Sequence, residues 1–215
     1  MQAEAKRLIP AAHYTEHWRA TPNGSPDESA DESTLAEETR ASMHCVAYQQ
    51  LTSESLLRKL YEWSGLTDFI NAIYDSVPLY PTADPVVSCM LTALMNEDEL
   101  GWHYDPNDGV VSLMIQQAAS GGKFEFAHNI RKPRPGACDA ELAVLNSNYP
   151  RTRSIQLEPG TLSLFNGHRT LHRVAPVRGD TPRVIALFNY CETKDYQFSE
   201  SVRQRFSGTN SETKC

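Results

Sequence analysis

The chain has 215 residues, enough for one domain with a proper core, and its 40% hydrophobic and 22% charged residues are those of an ordinary soluble protein. A net charge of −7 argues against nonspecific binding to nucleic acid, which prefers a basic surface. No apolar run approaches the length of a membrane span, and Met1-Gln2-Ala3-Glu4-Ala5-Lys6 lacks a signal peptide's apolar core, so a cytoplasmic protein is expected.

Taken in chain order, the first 45 residues are expected to precede the main domain as an N-terminal segment, with residues 46–215 forming a single folded unit. Within that segment, Thr21–Glu38 is rich in Pro, Gly, Ser and carboxylates, the composition of a mobile loop; a lid that orders over substrate is its rival. It also contains the acceptor pattern Asn23-Gly24-Ser25, which is expected to stay unmodified in a cytoplasmic chain. Ser53–Trp63 reads as an amphipathic helix, with Leu56 and Leu60 four apart, Leu57 and Tyr61 likewise, and Ser53 as N-cap. A second helix is expected after Gly65, capped by Thr67, with Phe69, Ile70, Ile73 and Tyr74 as its apolar side. Pro78, Pro81 and Pro85 stop any continuation.

From there the texture changes. Val86–Met95, Val110–Gln117, Lys123–Phe126, Ser154–Leu157, Thr161–Phe165, Leu171–Val174 and Arg183–Tyr190 are short, β-prone runs separated by turn residues, and Asp139–Leu145 reads as a helical insertion. Many short strands split by turns point to a sandwich or barrel, of which a jelly roll is one form. The expected class is mainly β with flanking helices. The five cysteines, Cys45, Cys89, Cys138, Cys191 and Cys215, are scattered with no CxxC pair, as befits free thiols in a reducing compartment.

The chemistry is concentrated in Gly101-Trp102-His103-Tyr104-Asp105 and, far downstream, His172 and Arg183. Residues separated by one other in a strand point to one face, so His103 and Asp105 can grip a single metal ion. An HxD pair alone is common by chance, as a surface pair or a loop hydrogen bond. Adding His172 gives two histidines and a carboxylate, which cover one face of an octahedron, leave three positions open and suit non-haem Fe(II). His168 competes through His168-x-x-x-His172, but Gly167 before it and Pro176 after it argue against the helix a zincin-type pair requires. His44 and His128 are expected to be ordinary surface or core histidines.

These residues resemble the HxD…H…R pattern of the Fe(II)/2-oxoglutarate-dependent dioxygenase superfamily, with His103, Asp105, His172 and Arg183 in the four places and Arg183 eleven residues after His172. The resemblance implies a double-stranded β-helix (jelly-roll, cupin-like) core. It also implies Fe(II) on His103, Asp105 and His172 as catalytic metal ligands, 2-oxoglutarate held by Arg183, and O2 as oxidant. The segments Asp98–Asp105, Gly121–Phe126 and His172–Val177 further resemble a subgroup that hydroxylates or chlorinates free amino acids. In chlorinating relatives Gly or Ala stands where Asp105 stands here, so hydroxylation of a free amino acid or small polar metabolite is expected, releasing succinate and CO2. Desaturation, cyclisation, action on protein or nucleic-acid groups, and a non-catalytic metal-binding domain are the alternatives. Relatives add a Ser or Thr two residues after the arginine; Ile185 occupies that position, so the second anchor of 2-oxoglutarate must lie elsewhere. For the substrate, Trp102, Arg131 and Asn189 are the candidates. Gly109 stands where an aromatic is common, which implies a wider pocket. A small molecule is the expected partner, and monomer and homodimer both fit.

Overall fold

Thirteen strands and five helices are set out by the computed structural model, which describes residues 1–21, 37–74, 77–105, 109–131 and 139–208. The strands are β1 (His13–Thr21), β2 (Glu37–Val46), β3 (Tyr80–Pro81), β4 (Cys89–Leu94), β5 (Leu100–His103), β6 (Gly109–Gln116) and β7 (Ser120–Gly121). They continue as β8 (Phe124–Ala127), β9 (Arg153–Ile155), β10 (Leu162–Phe165), β11 (Leu171–Val174), β12 (Val177–Arg178) and β13 (Arg183–Cys191). The helices are α1 (Gln2–Leu8), α2 (Leu56–Glu62), α3 (Ser64–Tyr74), α4 (Asp139–Leu145) and α5 (Glu200–Ser207).

The principal sheet is antiparallel and runs β10-β6-β13-β4-β2-β5-β11-β8-β9, with β1 added to β2 and β3 to β13. It curls until its two limbs face each other. Phe165 on β10, near one end of the path, lies 5.3 Å ring to ring from Phe124 on β8 and 5.0 Å from His172 on β11, near the other end. Curling of this kind turns an open, edge-bearing sheet into a jelly-roll core with an inside.

Alternation along β13 assigns the two sides. Val184, Ala186, Phe188 and Tyr190 are all at most 1% exposed and form one cluster with Leu57 and Tyr61 of α2 and Leu66 and Ile70 of α3. Tyr61 sits 6.0 Å from the Phe188 ring and 5.8 Å from that of Tyr190. Full burial of side chains of this size stabilises by roughly 1.5–3 kcal/mol each. Arg183, Ile185 and Leu187 point the other way, into the curl.

The helices follow from local chemistry with two corrections. Helix α2 is capped by Ser55, whose hydroxyl accepts from the Arg58 amide at 3.2 Å, rather than by Ser53. Helix α3 begins at Ser64 and buries Leu66 and Ile70, while Phe69 and Ile73 are 50% and 53% exposed. Leu66 and Ile70 are four apart and therefore share the core face; of the expected apolar side Ile70 and Tyr74 pack on the core, and Phe69 and Ile73 do not. Strand β2 lies inside the main sheet, paired with β1, β4 and β5, so the described residues ahead of Val46 contribute to the same core as the rest. Most of the acidic stretch expected as a loop, together with Cys138 and Cys215, lies outside the described residues, although Thr21 ends β1 and Glu37 begins β2. The described cysteines, Cys45, Cys89 and Cys191, are all buried, and burial pushes the Cys45 thiol up to about 12. No helix among the described residues is long and apolar enough to cross a membrane.

Candidate metal centre and cavity

Strands β5 and β11 pair with His103 directly opposite His172, which brings the two imidazoles to 4.2 Å between ring centres. Each ring is fixed by its own backbone. His103 Nδ1 lies 2.7 Å from the Gly101 carbonyl, and His172 Nδ1 lies 2.8 Å from the Thr170 carbonyl. A carbonyl only accepts, so both Nδ1 atoms carry the proton and both Nε2 atoms present a lone pair. Those two Nε2 atoms stand 3.7 and 3.6 Å from Asp105 Oδ1. One ligand atom from each of the three residues falls within 4.8 Å of the others, and together they form a metal-ion site.

Asp105 reaches this position by a route different from alternation in one strand. Strand β5 ends at His103, and Asp105 lies just beyond it. Its amide donates to the Gly167 carbonyl at 3.1 Å. Its carboxylate lies against the Cα of Gly167 so closely that a Cβ there would meet Asp105 Cγ at 2.6 Å. The turn before β11 is thus a seat for the carboxylate, and only glycine leaves room for it. The donor set fits a divalent transition metal: two neutral imidazoles oriented by carbonyls behind them, one carboxylate, and a cavity on the open side. Gly101 serves the same end of β5, since a Cβ there would come within 2.5 Å of Thr39 Cβ on β2.

Arg183 opens β13 and is 3% exposed. Its Nε is buried without a hydrogen-bond partner among the described residues, and no carboxylate pairs with it there. Burial holds the guanidinium below its ordinary value, at about 10. A buried cation left unpaired is costly, and its planar fork matches a carboxylate. It lines the cavity that His103, Asp105 and His172 also line, a space of about 800 Å³.

The three substrate candidates from the sequence lie elsewhere. Trp102 neighbours His103 in β5 and therefore points to the opposite face, where it packs with Tyr104, Ala127, Ile130, Val144 and Leu171, beneath the guanidinium of Arg173 at 4.9 Å. Arg131 lies 4.8 Å over the Tyr104 ring and donates to the His168 carbonyl at 2.9 Å. Asn189 donates its side-chain amide to the Val87 carbonyl and accepts at its backbone carbonyl from Tyr61, a structural arrangement. None of the three lines the cavity. His168 is on the exposed turn, its ring 3.2 Å from Arg131, and is no part of the metal group. His128, by contrast, lines the cavity with Nδ1 3.5 Å from the Thr170 hydroxyl, and Ile185 lines it beside Arg183.

Sequence reasoning missed Thr92, which opposes Ile185 across β4 and β13 and brings a hydroxyl to the cavity wall. It missed Gly167 as well. For Thr92 the available signal was its place as the one polar residue in Cys89–Leu94; for Gly167 it was the glycine directly before His168 in the turn that feeds the second ligand histidine.

Comparison with known proteins follows the same line. No curated protein matches the chain. An oxidoreductase of the 2OG-Fe(II) oxygenase family from Burkholderia pseudomallei matches in structure with a TM-score of 0.52 at 14% identity, over 89% of this chain and 78% of that one. The epimerase SnoN, solved in complex with Fe3+, alpha ketoglutarate and nogalamycin RO, gives 0.54 at 16% identity, over 88% and 72%. A prolyl hydroxylase from Trichoplax adhaerens, solved with a hypoxia inducible factor oxygen degradation domain peptide fragment, gives 0.50 at 12% identity, over 88% and 76%. At these identities the likeness is one of fold, and it agrees with the curled antiparallel sheet. The model of the family described as Halogenase D matches residues 28–206, which is most of the chain, and with the jelly-roll core and the His-Asp-His centre in place, the protein belongs to that family.

Proposed function

We propose that the protein is an Fe(II)- and 2-oxoglutarate-dependent oxygenase that hydroxylates a C–H bond of a small molecule and releases succinate and CO2. The observation that carries this reading is Arg183, a buried guanidinium without a carboxylate partner among the described residues, lining the cavity that the metal centre lines. A dicarboxylate spanning from metal to arginine would satisfy both ends at once.

In this reading His103, Asp105 and His172 hold the iron, and the Gly101 and Thr170 carbonyls keep both imidazoles in the ligating tautomer. Bound iron with 2-oxoglutarate and O2 supplies the oxidative decarboxylation and the oxygen atom for the substrate. Arg183 forks onto the far carboxylate, and Thr92 is our choice for the hydroxyl that Ile185 cannot supply, provided that it turns from the Ile185 carbonyl, to which it donates at 3.4 Å, toward the carboxylate. The Phe124 and Phe165 rings, 5.6 and 5.0 Å from the His172 ring, shield that ligand from water. Asp105 keeps a carboxylate in the position that chlorinating relatives leave for halide, which supports hydroxylation despite the family's description.

The expected free amino acid would have to be met by groups other than Asp105 and Arg183, the charged groups of the described lining, since this reading gives the first to the metal and the second to 2-oxoglutarate. A zwitterion needs an acid and a base, and the cavity's one described carboxylate, Asp105, is engaged in the metal set. The reading is tested by following succinate from 2-oxoglutarate in air, with and without Fe(II). Slow, iron-dependent succinate formation that disappears in Arg183→Leu is expected. Succinate formation that ignores iron, or survives that substitution unchanged, would contradict the assignment.

A further inference from the structure

We propose that Arg131 and the Tyr104–Glu141 pair are positioning residues, a brace outside the cavity that fixes the Asp105 carboxylate on the metal; this rests on the reading of His103, Asp105 and His172 as the metal's ligands. Asp105 is held differently from the two histidines. His103 and His172 sit opposite each other in paired strands, each with a carbonyl behind its ring. Asp105 stands beyond the end of β5, where the turn at Gly167 accepts its amide at 3.1 Å and seats its carboxylate. A group that fixes this turn against the end of β5 therefore fixes the third ligand.

Arg131 spans those two sides. Its guanidinium lies 4.8 Å over the ring of Tyr104, the residue between the ligands His103 and Asp105. Its Nη1 donates to the carbonyl of His168, one residue past Gly167, at 2.9 Å. The same atom is 3.2 and 3.3 Å from the two ring nitrogens of His168. Tyr104 is in turn held from behind. It packs with Trp102 and Val144 on the face away from the metal, and its hydroxyl donates to Glu141 Oε1 of α4 at 2.6 Å. Glu141 is 4% exposed, and a carboxylate buried to that degree is costly unless it is hydrogen-bonded. The contacts close a ring: Asp105 to Gly167, His168 to Arg131, Arg131 to Tyr104, and Tyr104 through the chain to Asp105. Helix α4 thereby does more than cover the sheet, and Arg131, which is not part of the cavity lining, has a task at the metal centre.

The test is anaerobic titration of the metal-free protein with Co(II), whose visible absorption reports both its affinity and its ligand set. Arg131→Met keeps a long apolar stem and removes the fork. It should raise the Co(II) dissociation constant about tenfold and alter the spectrum, as loss of a group that orients a ligand from behind does. Tyr104→Phe keeps the ring beneath Arg131 and removes the hydroxyl, and should raise the constant about threefold or more. Arg131→Lys restores a cation and a donor and should fall between Arg131→Met and wild type. Melting of the metal-free Arg131 variants should stay within about 4 °C of wild type. Arg131→Met or Tyr104→Phe with the affinity and spectrum of wild type overturns the proposal. So does an Arg131→Met loss that follows a matching fall in melting temperature, or one that Arg131→Lys leaves unrepaired. If wild type binds no Co(II), the metal-centre reading falls and this inference with it; if wild type binds and the variants match it, this inference alone falls.

Discussion

The two faces of β13 obey the same alternation and end in opposite states. On the outer face Val184, Ala186, Phe188 and Tyr190 meet α2 and α3 with essentially no exposure. On the inner face Arg183, Ile185 and Leu187 border about 800 Å³ of open space, and a charged group is buried there without a counter-ion among the described residues. Alternation therefore decides which residues turn inward but not whether the interior is filled. The outer face is built for stability, the inner face for a ligand, and substitutions on one should leave the other's property nearly unchanged.

The largest expected effect is at the centre itself. His172→Ala should abolish iron binding, as read by metal analysis after anaerobic loading and desalting, whereas His168→Ala should retain it nearly in full. An exchange of those two behaviours would mean the wrong histidine has been assigned. Next is Asp105→Gly, for which hydroxylation should collapse with weakened metal affinity; chlorinated product then requires the substrate carbon to lie nearer halide than hydroxide. Product analysis with sodium chloride present is the measurement, and chlorination by the wild type would contradict the hydroxylase reading.

On the outer face, Phe188→Ala should lower unfolding free energy by about 3–5 kcal/mol, the usual cost of emptying a fully buried aromatic site. Denaturant melts would record it, and 2-oxoglutarate affinity of the remaining folded protein should be unchanged. A loss of affinity as large as the loss of stability would erase the distinction between the faces. The smallest effect is expected at Gly167→Ala, where the added methyl displaces the Asp105 carboxylate from its seat. Metal affinity should fall by about 10–100-fold, the range for groups that orient a ligand from behind, without a comparable drop in stability.

Much of this was legible from residue types. Helix α4 over Asp139–Leu145 and strand β11 over Leu171–Val174 fall where turn residues and periodicity put them, and β13 begins at Arg183 as expected. The ligand set was legible because its donors are rare and chemically specific. The β1–β2 pair was not, since Ala41, Ser42 and Met43 are buried in succession inside the sheet and show no period of two. Nor was the orientation of Asp105: it depends on a contact with Gly167, sixty-two residues away in sequence, that no local pattern encodes. Trp102 misled for a simpler reason. Adjacency in sequence to His103 means opposition in a strand, so a neighbour of a ligand is the residue least placed to share its cavity.

The central claim is that Arg183 is buried to receive a carboxylate, and the direct measurement is anaerobic calorimetric titration of 2-oxoglutarate into Fe(II)-loaded wild type and Arg183→Leu. Loss of a buried charge-assisted contact of this kind costs on the order of 2–5 kcal/mol, so the dissociation constant should rise by at least an order of magnitude. The thermal stability of the unliganded variant should be equal to or above that of wild type, because an unpaired buried charge has been replaced by an apolar side chain. An unchanged dissociation constant would contradict the account.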